Sequence, residues 1–206
     1  MSFEHQVVFV LDDDPAVREA LSGLLRSAGL RVVLFATAKE FLRAKAPEAA
    51  ACLILDLQLP DISGLELQRS LAETDGPPIV FISGHANIPS SVRAMKAGAV
   101  EFLVKPFRDE ELLQAIESAI EQDRSARQSR SELAGLRAAY EHLSRREREV
   151  LPLVVAGLTN RESAVNLGIA EITLQVHRGQ IMRKLGARSV PELVRMAGKL
   201  GVSRAQ

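Results

Sequence analysis

Four short apolar runs, each ending in a residue able to handle a phosphoryl group, constrain this chain more than any other feature. Val7–Leu11 leads into Asp12, Asp13 and Asp14, and Cys52–Leu55 leads into Asp56. Ile79–Ile82 leads into Ser83, and Val100–Val104 into Lys105 and Pro106. Helical patterns separate these runs, an arrangement that reads as buried parallel strands joined by right-handed crossovers. In such sheets a ligand sits beyond the carboxyl ends of the strands, where the strand order reverses. The acids, the hydroxyl and the lysine are therefore expected on one edge, although they are far apart in sequence.

The 206 residues suffice for one large domain or two small ones. Hydrophobic residues make up 47% and charged residues 25%, the composition of a globular protein with a real core. No apolar stretch approaches the roughly 20 residues that span a bilayer. The start, from Met1 to His5, lacks the basic segment of a secretory signal. Cys52, the one cysteine, lies inside an apolar run and reads as a small core residue rather than a redox or metal group. A cytoplasmic protein is expected. A net charge of zero hides a split. Residues 1–122 carry 11 Lys+Arg against 18 Asp+Glu, whereas residues 143–206 carry 11 against 5. An acidic part joined to a basic part implies two modules with different partners, and nucleic acid is the first to consider for the basic one.

The first 108 residues read as five βα repeats. A strand at Gln6–Leu11 precedes a helix near Pro15–Ala28, where Pro15 suits a first turn and Gly29 the end. A strand at Val32–Phe35 leads to Thr37-Ala38-Lys39-Glu40, the pattern of a capping box. The strand ending at Asp56 is followed by a Pro60-Asp61 turn and a helix from about Gly64 to Glu73. Another helix spans about Pro89–Ala97 and stops at Gly98. From Asp109 the pattern turns helical, with Leu112, Leu113, Ile116, Ala119 and Ile120 on one face. That face dissolves after Glu121, where good helix formers predict a continued helix as linker. Leu133, Leu136, Tyr140 and Leu143 then resume a stripe that suits either a dimer seam or packing on a neighbouring domain. Beyond it, capping boxes at Ser144–Glu147, Thr159–Glu162 and Ser189–Glu192, with stops at Gly157, Gly168 and Gly186, predict a four-helix unit with a central helix-turn-helix.

Asp12, Asp13 and Asp56 would bring three carboxylates to one strand edge. Two like charges about 4 Å apart repel by roughly 4 kcal/mol at an effective dielectric near 20. A divalent cation relieves that repulsion, and oxygen ligands with water suit Mg²⁺ better than zinc. The histidines (His5, His85, His142 and His177) are scattered and form no ligand set. Metal and lysine together describe a phosphoryl-transfer site: Asp56 as nucleophile, with Lys105 and the cation neutralising phosphoryl oxygens and Ser83 hydrogen-bonding one of them. Singly, each residue has a bland reading as a cap or turn; four such coincidences on one edge are much harder to accept.

With those residues in place, 1–122 resembles the receiver domain of two-component response regulators. The resemblance implies Asp56 as phosphoacceptor, and Mg²⁺ held by Asp13, Asp56 and the main-chain carbonyl of Gln58, with Asp12 acting largely through water. It further implies Ser83 as switch hydroxyl and Phe102 as the aromatic whose rotamer follows phosphorylation; from the pattern alone Phe102 is core. An aspartyl-phosphate phosphatase of the haloacid dehalogenase type would need a second acid two residues after Asp56. Gln58 supplies an amide that cannot titrate.

Residues 143–200 resemble the LuxR-type helix-turn-helix of the FixJ/NarL class, through Leu143–Leu151, Gly157–Glu162 and Thr173–Gly186. The resemblance implies Glu171–Leu185 as recognition helix in the major groove. Gln175, Val176 and His177 would face bases, and Arg178, Arg183 or Lys184 phosphates. The apolar Ile172, Leu174, Val176, Ile181 and Leu185 are mixed, some facing the core and some the thymine methyls; taken singly each reads as core except Val176, which matches a base-contacting position. The chain departs from the family where Gln175 replaces the usual lysine, Gly179 a polar or basic residue and Ser163 an isoleucine. Pro152 inside the first helix removes one hydrogen bond.

The sequence thus predicts an α/β fold: a five-stranded parallel doubly wound receiver domain (1–122), a helical linker (123–142) and an all-α four-helix helix-turn-helix domain (143–206). The implied function is phosphorylation-controlled transcription regulation in a two-component system, without enzymatic activity. The alternative is a receiver-fold regulator whose DNA binding is independent of Asp56 phosphorylation. Expected partners are a sensor histidine kinase, double-stranded DNA, RNA polymerase as a candidate and, once phosphorylated, a second copy of the chain. No membrane partner is expected. The expected dimer face is the Pro89–Ala97 helix with the Val100–Val104 strand, with the linker stripe as competitor.

Overall fold

The computed structural model describes residues 6–45, 49–84 and 88–202; His5 and His85 lie outside them. Five strands alternate with five helices in the first part of the chain: β1 (Val7–Leu11), α1 (Pro15–Ser27), β2 (Arg31–Phe35), α2 (Ala38–Arg43), β3 (Ala51–Asp56), α3 (Gly64–Ala72), β4 (Ile79–Ser83), α4 (Ile88–Lys96), β5 (Glu101–Val104) and α5 (Asp109–Glu141). The strands form one parallel sheet in the order β2-β1-β3-β4-β5. The order reverses between β1 and β3, so Leu11 and Leu55 are register partners and the residues after them share one edge.

Strands β1, β3 and β4 are buried throughout, which is why they read as unbroken apolar runs. Side chains alternate between two cores. Phe9, Leu11, Leu53, Leu55 and Phe81 pack with Phe41, Leu67, Leu71 and Ala94 on one face. Val8, Val10, Cys52, Ile54, Val80 and Ile82 pack with Leu21, Leu25, Leu112, Ile116 and Ile120 on the other. Cys52 is fully buried, and burial pushes its thiol above the ordinary range, so it is an inert core group.

The chain divides into two compact units, Met1–Arg127 and Gln128–Gln206, and α5 passes from the first into the second as one helix. The continued helix expected beyond Glu121 is present, but its apolar face does not simply dissolve. Asp123 is 2% exposed, and its Oδ2 accepts from the Ala51 amide at 2.8 Å and from Arg127 Nε at 2.6 Å. This carboxylate ties α5 to the start of β3.

The second unit contains α6 (Arg145–Val155), α7 (Asn160–Leu167), α8 (Glu171–Leu185) and α9 (Val190–Lys199). Val150, Leu151, Val154, Leu174, Ile181, Leu185 and Leu193 form its core. Leu136 and Tyr140 of the linker stripe pack on that core, and Leu143 is part of it. That favours the packing reading of the stripe over a dimer seam. Capping boxes close at Ser144 and Thr159, whereas Ser189 accepts from the Glu192 amide and Glu192 reaches the Arg188 amide, one residue further back. Thr37 and Glu40 do the same, with Glu40 accepting from Ala36. Helix α6 runs through Pro152, whose carbonyl accepts from Ala156. Ser163 is fully buried and its hydroxyl has no partner. Among the described residues no helix is long and apolar enough to cross a membrane.

Candidate functional site

Asp12 follows β1, Asp56 ends β3, Ser83 ends β4 and Lys105 follows β5, and backbone hydrogen bonds fix these ends together. The Asp12 amide donates to Phe35, the Leu57 amide to Ile82 and the Lys105 amide to Ser83. The Lys105 ammonium bridges two carboxylates, 2.7 Å from Asp12 Oδ2 and 3.4 Å from Asp56 Oδ1. Backbone amides hold the other oxygens, Asp14 N on Asp12 Oδ1 at 2.9 Å and Gln58 N on Asp56 Oδ2 at 2.8 Å. Asp12, Asp56 and Ser83 are buried, whereas Asp13 and Gln58 are exposed at the rim. Phe102 is half-buried and stacks on Phe81, ring centroids 5.9 Å apart.

Two residues that shape this edge were not singled out from sequence. Arg18, in the first turns of α1, donates to the carbonyls of Asp12 and Asp13 at 2.7 and 2.9 Å, fixing the loop that carries both acids. Gly64 starts α3 against Asp56, and a Cβ there would lie 2.6 Å from the Asp56 carbonyl oxygen. The Ser63 capping box sets that helix start. The helix start at Gly64 is expected from the sequence; the serine three residues before Glu66 is the signal for its cap.

The electrostatics separate the two acids from their lysine. Burial raises the Asp56 carboxyl above its ordinary 3.8, the nearby Asp12 charge adds to this, and the Gln58 amide and Lys105 oppose it. For Lys105, burial favours the neutral amine, but the hydrogen bond and charge of Asp12, with Asp56, outweigh it and hold the ammonium above its usual range. Ionised Asp56 is therefore a strained nucleophile. Its raised pKa stabilises the fold fully only below the unfolded value, and that contribution is lost as pH rises through the folded pKa. Asp56→Asn is accordingly expected to melt higher than wild type in chelator-containing buffer. The gap should widen as pH rises above the ordinary carboxyl range. A calorimetric titration checks this, and a gap constant with pH would refute the assigned strain.

Among the described residues no three carboxylate, histidine or cysteine side chains converge as a metal cluster. The expected trio is two buried acids sharing one lysine, with Asp13 exposed beside them, because the ammonium already supplies the positive charge. Mg²⁺ keeps several waters and needs one or two carboxylates, so this hard-oxygen donor set with an exposed acid at its rim fits it.

In the second unit α8 places Leu174, Ile181 and Leu185 in the core, and exposes Ile172 and Val176 at 68% and 53%. Ile172 thus departs from its expected core placement, since it lies on the side of α8 away from Leu174, Ile181 and Leu185. Gln175 and Arg183 are exposed, while His177 is half-buried with its Nδ1 enclosed and unpartnered. Arg178 donates to Asn160 Oδ1 at 2.9 Å, joining α8 to α7. Lys184 is exposed, and its ammonium is 2.7 Å from the fully buried Glu147 and donates to the His142 carbonyl. That buried charge anchors its ammonium at the surface of the unit.

Comparison with known proteins matches residues 8–117 to the response regulator receiver domain and 141–197 to the bacterial regulatory proteins of the luxR family. Nodulation protein W of Bradyrhizobium diazoefficiens is 48% identical over 96% of this chain and 87% of its own. Transcriptional regulatory protein FixJ of Azorhizobium caulinodans is 44% identical over 96% and 94%. The solved structure of response regulator StyR is 49% identical, with a TM-score of 0.83 over 95% of this chain and 99% of that one. The chain belongs to the response-regulator family. This response regulator joins a receiver to a LuxR-type DNA-binding domain and is a phosphorylation-controlled transcription regulator. Neither matching family is an enzyme family. Receiver domains generally bind Mg²⁺ at the phosphorylation site.

Proposed function

We propose that Asp56 is the phosphoacceptor of this response regulator and that its phosphorylation controls DNA binding by the second unit. The observation that supports this most is the Lys105 ammonium shared by Asp12 and Asp56 at the point where strand order reverses. An Asp56 carboxylate oxygen attacks the phosphorus of a sensor kinase's phosphohistidine. The new P–O bond forms as the P–N bond breaks, and its electron pair stays on the imidazole. Lys105 moves no proton; its charge offsets that gathering on the phosphoryl oxygens, and the Ser83 hydroxyl donates a hydrogen bond to one of them. Asp13, Asp56 and the Gln58 carbonyl, with Asp12 through water, would hold Mg²⁺, which when bound would supply further positive charge to those oxygens.

The phosphorylated form pairs through α4 and β5. Ile88, Val92 and Met95 form an exposed stripe at i, i+4 and i+7, and Val104 adds an exposed valine from β5. The domain bounds 1–122, 123–142 and 143–206, a cytoplasmic location and RNA polymerase as a further partner belong to the same reading. Gln175, Val176, Arg183 and Lys184 are the exposed members of the DNA-binding set, with His177 and Arg178 half-buried beside them.

One experiment tests the reading. A radiolabelled small phosphodonor with Mg²⁺ should label wild type but not Asp56→Asn, and labelling should vanish in excess chelator. Only labelled protein should sediment as a dimer and bind duplex DNA more tightly. Full labelling of the Asn variant would sink the assignment. Equal DNA binding by the Asn variant and labelled wild type would favour a regulator that does not need Asp56.

A further inference from the structure

The solvent face of α8 carries an unusual set of groups for a helix that meets DNA. At 3.6 residues per turn, Ile172, Gln175, Val176, Gly179 and Arg183 fall within an arc of about 100°. All five are exposed, while Leu174, Ile181 and Leu185 point into the core. The first positions on this face are a large apolar side chain, an amide and a second apolar side chain. Its cation, Arg183, lies about 16 Å further along the axis than Ile172. Burying Ile172 and Val176 against nothing would leave two branched apolar groups in water, on a surface where the core needs neither.

Gly179 is the second, independent observation. It lies inside α8 with an ordinary helical backbone, outside the glycines of positive φ. A Cβ added there meets nothing within 4 Å, so neither packing nor backbone geometry within the protein requires glycine. Glycine is among the poorest helix formers, and here the folded chain offers no compensation. A missing side chain on the same face does permit close approach of a ligand.

The major groove displays one apolar group, the thymine methyl, and an Asn or Gln amide pairs bidentately with adenine N6 and N7. Guanine is most often read by Arg or Lys, which the first turns of this face lack. Resting on the reading of α8 as recognition helix, we propose that this response regulator selects A·T pairs. Ile172 and Val176 contact thymine C5 methyls, Gln175 reads adenine, and Gly179 lets the helix settle deeply enough for those contacts. Ile172 is thereby a specificity residue that the family resemblance did not supply.

The test uses the full chain, treated with phosphodonor and Mg²⁺, to select sites from a randomised duplex pool. Enriched sites should carry A·T pairs beneath the helix. Resynthesis with deoxyuridine, which removes only the thymine methyls, should lower wild-type affinity about fourfold for each methyl contacted. Ile172→Ala/Val176→Ala should bind thymidine and deoxyuridine duplexes alike. Both side chains are exposed, so this variant keeps the fold. Gly179→Ala should melt at a higher temperature than wild type yet bind the selected site more weakly. Selective binding that ignores the methyls would overturn the proposal and leave the recognition helix standing. A pool without any enrichment would overturn both.

Discussion

Lys184→Met is expected to lower the melting temperature of the second unit by about 15 °C, an effect of about 3 kcal/mol. Glu147 is fully buried, and its Oε2 accepts from Lys184 at 2.7 Å and from the Ser144 amide at 2.6 Å. Removing one partner of such a pair strands a charge in a low-dielectric interior, which typically destabilises by about 3–5 kcal/mol. The low end applies because Lys184 is 33% exposed and water relieves part of the penalty. Burial by itself would raise the Glu147 carboxyl, yet Lys184 and the Ser144 amide hold it below its ordinary 4.5. A lowered carboxyl pKa gives stability that is present above the unfolded value and lost as pH falls through the folded one. In Lys184→Met burial dominates instead, so the deficit should shrink on acidification as Glu147 becomes neutral. Glu147→Gln keeps an acceptor for the Ser144 amide, and Lys184→Met/Glu147→Gln should recover most of the loss. Tyr140, the only tyrosine in a chain without tryptophan, packs on this unit's core, so its fluorescence reports this transition. A Lys184→Met protein that melts normally but shows a flatter salt dependence of DNA binding would instead make Lys184 a phosphate contact.

The contrast between Lys184 and Lys105 shows what the sequence could and could not reveal. Lys105 follows an apolar run, and buried parallel strands deliver the residues after them to one edge whatever the intervening helices contain. Asp12, Asp56 and Ser83 were legible for the same reason. The Glu147–Lys184 pair joins residues 37 apart, and the Ala51–Asp123 hydrogen bond joins residues 72 apart. No local periodicity marks either; Asp123 reads as part of a solvated linker, and nothing local pairs Lys184 with Glu147. Capping shows a milder form of this limit. The Glu40 and Glu192 carboxylates reach one residue beyond the expected amide, a difference set by rotamer and chain path rather than residue type. Ile172 reads as core because apolar residues in helices usually are, whereas a ligand-facing helix inverts that expectation.

The other large effect is expected at Lys105. Lys105→Met leaves Asp12 and Asp56, 1% and 7% exposed, at adjacent strand ends without the charge they share. Two carboxylates about 4 Å apart repel by roughly 4 kcal/mol at an effective dielectric near 20. Asp56 is already raised by burial and by Asp12, so loss of the ammonium pushes it up further. Two consequences follow for acceptance of a phosphoryl group from a small donor. Less of the nucleophile is ionised at neutral pH, and one preorganised cation for the developing phosphoryl charge is gone. Loss of one such electrostatic contact typically slows a reaction about 10²–10³-fold. Labelling of Lys105→Met should therefore fall by at least about 100-fold, and its rate should continue to climb at pH values where wild type has levelled off. Lys105→Arg restores the charge on a planar fork with different reach, so it should recover part of the rate and the wild-type pH profile. Stability moves in the same sense. The raised Lys105 pKa contributes stability below its ordinary 10.5 that disappears only as pH rises through the higher folded value, so the variant lacks it at neutral pH. Chelator-treated Lys105→Met should melt below wild type at pH 7, with the gap closing in acid as Asp56 takes up its proton. Labelling at the wild-type rate with an unshifted pH profile would leave Lys105 as a turn residue after β5 and remove it from the phosphoryl site.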